Sequence, residues 1–155
     1  MKLRLLAVAE RPPAWAEAAV TEYAKRMPRE FGLELVSVRP EKRAGQNVAS
    51  IQAAEAARVR EKCPRGARLV CLDERGRQPT THELVATLRD WQADARDVVL
   101  VIGGADGLAP DLIAAADAVL ALSRLTLPHA LARVVLVEQL YRAAMILAGH
   151  PYHRD

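Results

Sequence analysis

The chain has 155 residues, 51% of them hydrophobic and only 4% aromatic, which suits one domain with an aliphatic, alanine-rich core and is too little for two ordinary domains. Cys63 and Cys71 are the only cysteines, so neither a disulfide framework nor a cysteine-based metal site is expected, and a reducing, cytoplasmic setting fits best. No segment is long enough to span a membrane, and the apolar run that follows the basic start is too short and interrupted for a signal peptide.

Charge is unevenly distributed. Residues 1–80 hold 16 Lys/Arg against 10 Asp/Glu, a surplus of six, whereas residues 81–155 hold 6 against 9, a deficit of three. With a pI near 9.1, a basic N-terminal half points toward a polyanionic partner, because phosphate neutralisation dominates nucleic-acid affinity. Scattered arginines on solvated helix faces would give the same count.

Taken in chain order, the pattern predicts alternating strands and helices. A strand over 2–9 is followed by a helix that Pro12-Pro13 opens and Pro28 closes, with Trp15, Ala19 and Tyr23 recurring at helical spacing and Trp15 expected in the core. Leu33 to Val38 alternates as a half-buried strand does, and the loop Arg39 to Gly45, with three basic residues, is expected to be mobile and is the first candidate for RNA contact. An Ala-rich helix over 49–62 is capped by Asn47, and Arg58, Arg60 and Lys62 suit the negative end of its dipole. Arg68 to Leu72 reads as a third strand that ends in a turn-rich loop over 73–79. Thr80-Thr-His-Glu83 matches a capping box, opening a helix through Trp91.

Val98-Val-Leu-Val-Ile102 has no polar alternation, which argues for a strand buried on both faces of a parallel sheet. A short helix from Pro110 and a strand around 118–122 follow. The whole therefore reads as a single α/β domain over residues 1–155, with a mostly parallel sheet and helices on both faces. The cluster Gly103-Gly104-Ala105-Asp106-Gly107 stands at the C-terminal end of the fourth strand, where such sheets bind ligands. It lacks both the Walker Lys-Ser/Thr and the G-x-G-x-x-G spacing, so it is either a plain tight turn or a loop that binds something other than phosphates.

The last helix, about 128–148, is apolar nearly all round, with Arg133, Glu138, Gln139 and Arg142 as its strongly polar residues. One small sheet cannot cover such a helix, so a homodimer is expected, with Glu138 and Arg142 forming either a surface pair or a buried or cross-subunit pair. His129 follows Pro128 at its positive dipole end, where neutral imidazole is favoured, and it can serve either as a proton acceptor or in packing. Gly149 and Pro151 end the helix, so the tail is expected to leave it as an extended segment. There Tyr152, His153 and Arg154 offer a stacking ring, an imidazole and a guanidinium in succession, groups suited to grip a splayed-out base and its phosphate.

Val101-Ile-Gly-Gly with Gly107, the run Leu122-Ser-Arg-Leu-Thr-Leu-Pro-His129, the run Arg133 to Arg142 and the tail Pro151-Tyr-His-Arg154 together resemble the RlmH family. These are small SPOUT-class methyltransferases that methylate N3 of a pseudouridine in large-subunit ribosomal RNA, and the likeness covers the whole chain. It implies a C-terminal trefoil knot, which general fold rules would have rejected, and S-adenosylmethionine bound within it at a homodimer interface. Carried over by position, the cofactor contacts fall on Leu72, Gly103, Leu122, Ser123, Arg124, Leu125, Thr126 and Leu127. The catalytic candidates are Arg154, His129, His153 and Tyr152, with no catalytic weight on Ala105 or Arg124. Another SPOUT RNA methyltransferase, or a silent RNA-binding dimer, would share parts of this pattern.

Overall fold

Every strand pairs in parallel. In the computed structural model, which describes residues 1–153, strands β1 (Leu3–Val8), β2 (Leu33–Val38), β3 (Arg68–Arg77), β4 (Val98–Ile102) and β5 (Ala118–Leu120) form one sheet in the order β2-β1-β4-β3-β5. All five residues of β4 are buried. Alternation along the strand then divides its side chains between two cores. Val98, Leu100 and Ile102 face one cluster with Val20, Leu88, Trp91, Leu136 and Leu140, while Val99 and Val101 face another with Ala56, Val59 and Leu112.

Five helices supply those faces: α1 (Ala14–Arg26), α2 (Val48–Lys62), α3 (Thr81–Asp94), α4 (Pro110–Ala114) and α5 (His129–Leu147). The first face carries α1, α3 and α5, with α5 in contact with both others, and the second carries α2 and α4. The cap of α2 is as expected, with the Asn47 side chain accepting from the Ser50 amide at 2.8 Å. The capping box of α3 is reciprocal: the Glu83 amide donates to Thr80 at 3.2 Å and the Thr80 amide donates to Glu83 at 2.7 Å.

Four local expectations need correction. Trp15 is 57% exposed, because α1 turns Ala16, Val20 and Tyr23 toward the core and leaves Trp15 beside that stripe. The segment 73–77 continues β3 rather than forming a free loop; after a register shift Arg77 pairs with Leu120, and the Ala121 amide donates to the Arg77 carbonyl at 2.8 Å. Gly76 makes that possible, since a Cβ there would stand 2.7 Å from the Leu120 backbone. The loop 39–45 is tied down rather than free: Arg43 binds Asp106 at 2.7 Å, Arg58 binds Glu41 at 2.6 Å and the Glu41 amide donates to buried Glu55. The tail does not extend away but forms a 3-10 turn over Pro151–His153 that packs back on α5.

Candidate active site

Parallel pairing brings the C-terminal ends of β1, β3, β4 and β5 to one edge, where two cavities adjoin. The larger, about 1120 Å³, is lined by residues after β1, by the loop before α2, by 103–108 and by His129. The smaller, about 170 Å³, is lined by Leu72, Leu122, Ser123, Leu125, Thr126 and Leu127 among others. Leu72, Asp73, Glu74, Ile102, Leu127 and Ala132 belong to both, so the two are continuous. The smaller alone falls below the roughly 300 Å³ of an ordinary ligand pocket, so a nucleoside-sized ligand there must extend into the larger one.

Six of the eight positions expected at the cofactor site thus line one cavity, although Leu72 is distant in sequence from 122–127. Gly103 lines the adjoining cavity, and Arg124 lines neither. Between Leu122 and Leu127 the chain makes a tight polar turn, with the Leu125 amide donating to the Ser123 hydroxyl at 2.9 Å and Leu125 itself 77% exposed. Asp73 stands at the shared wall, where its hydrogen bonds with Arg75 hold its carboxyl below the usual range, so it is ionised at neutral pH.

The glycine loop is folded against itself. The Gly107 amide donates to the Gly104 carbonyl at 3.0 Å, and Gly107 has a φ of +76°. A Cβ on Gly103 would lie 2.9 Å from the carbonyl carbon of Gly107 and 3.0 Å from Leu108. Glycine at 103 is therefore required by the loop's own backbone before any ligand is considered. From α2 and the loop preceding it, the Gln52 amide donates to the Asp106 carbonyl at 2.8 Å and Arg43 pairs with the Asp106 carboxylate, so the loop is clamped from outside as well.

His129 braces the same loop from within. The Gly103 carbonyl lies beside its imidazole and favours its protonated form, while Nε2 is buried with no partner among the described residues. Burial lowers its pKa first and nearby Arg133 adds to this, opposed only by the Gly103 contact. The ring is therefore neutral at physiological pH; the dipole argument predicted that state, but desolvation is the larger cause. Arg133 is itself buried, with Nε unpartnered among the described residues and the carboxylate of Glu17 in α1 acting on its charge.

Tyr152 lies elsewhere. Its ring packs edge-on against Tyr141 at 4.6 Å, its hydroxyl donates to Glu138 at 3.2 Å, and the guanidinium of Arg142 stands 5.1 Å from its ring centre. Burial, with Tyr23 and Glu138 beside it, raises its pKa, so the phenol stays protonated. Glu138 pairs with Arg142 of the same helix at 2.8 Å, a partly buried intrachain contact. Glu138 and Tyr141 follow His129 by nine and twelve residues on α5, which puts the Tyr152 docking point about 14–18 Å along the axis from His129. Tyr152 and His129 of one chain are thus not brought together. Arg154 lies outside the described residues, as does the side chain of His153.

Sequence reasoning missed the clamp formed by Gln52, Arg43 and Asp106 and the buried Glu55 beneath Gly104. These join distant loops, and no local spacing marks them. Among the described residues no helix is long and apolar enough to cross a membrane, and no group of His, Cys, Asp and Glu could hold a metal ion.

Comparison with known proteins agrees with the geometry. A family model described as "Predicted SPOUT methyltransferase" matches residues 1–153. The chain is 53% identical over 155 residues to "Ribosomal RNA large subunit methyltransferase H" of Burkholderia cenocepacia, covering 99% of each chain. It is 54% identical over 156 residues to the protein of that name from Methylibium petroleiphilum, covering 100% of both. A Bacillus anthracis structure, described as that of a candidate RNA methyltransferase, shares the fold with a TM-score of 0.57 over 98% of this chain and 97% of its own, at 15% identity. A match along nearly the full length, on a parallel sheet whose strand ends converge on one pocket, makes this chain a member of the ribosomal RNA large subunit methyltransferase H family of SPOUT methyltransferases.

Proposed function

We propose that this chain transfers a methyl group from S-adenosylmethionine to N3 of a pseudouridine in large-subunit ribosomal RNA, acting in the cytoplasm as a homodimer. The observation that carries this reading is the convergence of Leu72 and the 122–127 segment on one cavity that opens into the pocket beside Gly103. The residues fit the cofactor: Leu72, Leu122 and Leu127 offer apolar walls to an adenine, with the Ser123 and Thr126 residues beside them. When bound, the cofactor supplies an electrophilic methyl group already activated by the sulfonium charge.

The protein's own task is then placement and exclusion of water. The 122–127 segment and the clamped glycine loop form the walls, and His129 packs beside the Gly103 carbonyl. Neutral His129, which lines the larger pocket, is also the imidazole placed to accept the proton that the imide nitrogen must lose.

Exposed apolar side chains on the pair of α1 and α5 favour the dimer. Helices α1 and α5 run side by side in parallel, with Glu17 near Arg133 and Tyr23 against Tyr141. Exposed Trp15 and Leu131, at 57% and 37%, belong to the first turns of this pair. In the dimer, Tyr152, His153 and Arg154 of one chain serve the pocket of the other, which answers the separation of Tyr152 from its own His129. The knot is part of this reading, supported by the close crossing of Gly76 and Leu120 that brings the C-terminal segment against 73–77.

The test is incubation of unmethylated large ribosomal subunits with protein and S-adenosylmethionine, followed by mass spectrometry of the RNA. One new methyl group on a pseudouridine is expected. Absence of cofactor binding by calorimetry would instead mark a silent RNA-binding protein, and a methyl group on another base or on ribose a different member of the SPOUT class.

A further inference from the structure

Beside the large pocket, a third cleft of about 500 Å³ opens between the loops that follow β1 and β2, lined by Glu10, Arg11, Ser37, Arg39, Pro40 and Lys42 among others. Glu10, Pro40 and Lys42 also line the large pocket, so the cleft leads to its lip. What distinguishes it is the state of its cations. Neighbouring arginines are neutralised by specific carboxylates: Arg43 by Asp106, Arg58 by Glu41, Arg60 by Asp111 and Arg75 by Asp73. The side chains of Arg11 and Lys42 have no hydrogen bond or ion pair among the described residues, and Arg39 feels only the field of Glu41, which Arg58 already contacts at 2.6 Å. All three are exposed.

Three cations therefore gather at a concave surface whose lining holds one carboxylate, Glu10, with the Ser37 residue beside them, while Glu41, already paired to Arg58, acts on Arg39 from the adjoining pocket. Like charges held together without partners repel one another, and an anion laid among them relieves that repulsion. The cleft is open and polar, which suits a solvated phosphate chain better than an apolar ligand. Continuity with the large pocket selects among anions: a nucleotide whose base enters the pocket must carry its flanking phosphates across this lip.

We propose that Arg11, Arg39 and Lys42 form a phosphate-backbone subsite that holds the RNA strand flanking the target base. This rests on the RNA-directed reading above and assigns binding and positioning, not chemistry. The experiment is filter binding of the full-length protein to unmethylated large ribosomal subunits across a salt series. It compares wild type, the triple variant Arg11→Gln, Arg39→Gln, Lys42→Gln and the charge-preserving pair Arg39→Lys, Lys42→Arg. Each lost phosphate contact removes roughly 0.7–0.9 from the slope of log K against log salt, so the triple variant is expected to lose roughly 2–3 from that slope and at least about tenfold in affinity. S-adenosylmethionine affinity should be unchanged in both variants, and the charge-preserving pair should retain the wild-type slope. KM for the ribosomal substrate should rise in the triple variant, with kcat at saturation nearly kept.

A wild-type slope in the triple variant overturns the subsite, and if methyl transfer by the wild type is intact it leaves the proposed function standing. Loss of slope supports the subsite whichever base is methylated, because binding is read without turnover. A wild type that shows no salt-dependent binding overturns both.

Discussion

Replacing Gly103 by alanine separates two reasons for a glycine at that position. The added Cβ would stand 2.9 Å from the carbonyl carbon of Gly107 and 3.0 Å from the backbone nitrogen of Leu108. Neither atom is the end of a flexible side chain, and the loop is held from outside through Asp106 by Arg43 and Gln52 and from inside by His129. Overpacking of a constrained site costs about 1–3 kcal/mol, and for a chain of this length each kcal/mol lowers Tm by about 2–4 °C. A fall of about 2–12 °C is therefore expected in thermal unfolding followed by circular dichroism. Titration calorimetry should show S-adenosylmethionine affinity lost together with the loop. Gly107→Ala is the control, since Gly107 has a φ of +76° but open space around its Cβ position. That change strains the backbone by about 1–2 kcal/mol without a collision and should weaken cofactor binding less. Wild-type Tm and wild-type affinity in Gly103→Ala would refute the steric account, and normal Tm with lost affinity would mean that the ligand, not the loop, requires the glycine.

Three further outcomes are expected. His129 has a folded-state pKa below its ordinary 6.5, so the unfolded chain binds its proton first; stability is full above pH 6.5 and falls as pH drops through the folded value, and urea unfolding of His129→Asn should lack this part of the acid sensitivity. Trp15→Glu places a charge at an exposed position of α1 on the proposed dimer face, and light scattering should report dissociation at micromolar concentration, whereas an unchanged dimer would move the interface elsewhere. Deleting 152–155 removes the hydroxyl that donates to Glu138 and the ring packed on Tyr141; methyl transfer should fall severely with cofactor affinity kept, and an active truncated enzyme would reduce the tail to a helix terminus.

Features governed by neighbours in the chain were legible from the residues alone. Five consecutive aliphatic residues determined that Val98–Ile102 is buried on both faces, because no polar side chain marks a solvent side. Thr80 and Glu83 announced their reciprocal cap, and Asn47 its own, since capping involves only residues within one turn. The placement of a ligand site at the ends of the strands also followed, because parallel pairing aligns those ends whatever the strand order. Contacts between distant segments decided the rest. Only the strand order, with β3 between β4 and β5, puts Leu72 against 122–127. Only the packing of α1 shows that Trp15 stands outside the core. The return of Tyr152 to Glu138 and Tyr141, the pairing of Arg77 with Leu120 and the collision that makes glycine necessary at 103 likewise depend on which backbones meet in space. Periodicity and capping act over a few residues and carry no record of such meetings, so these were settled by tertiary structure.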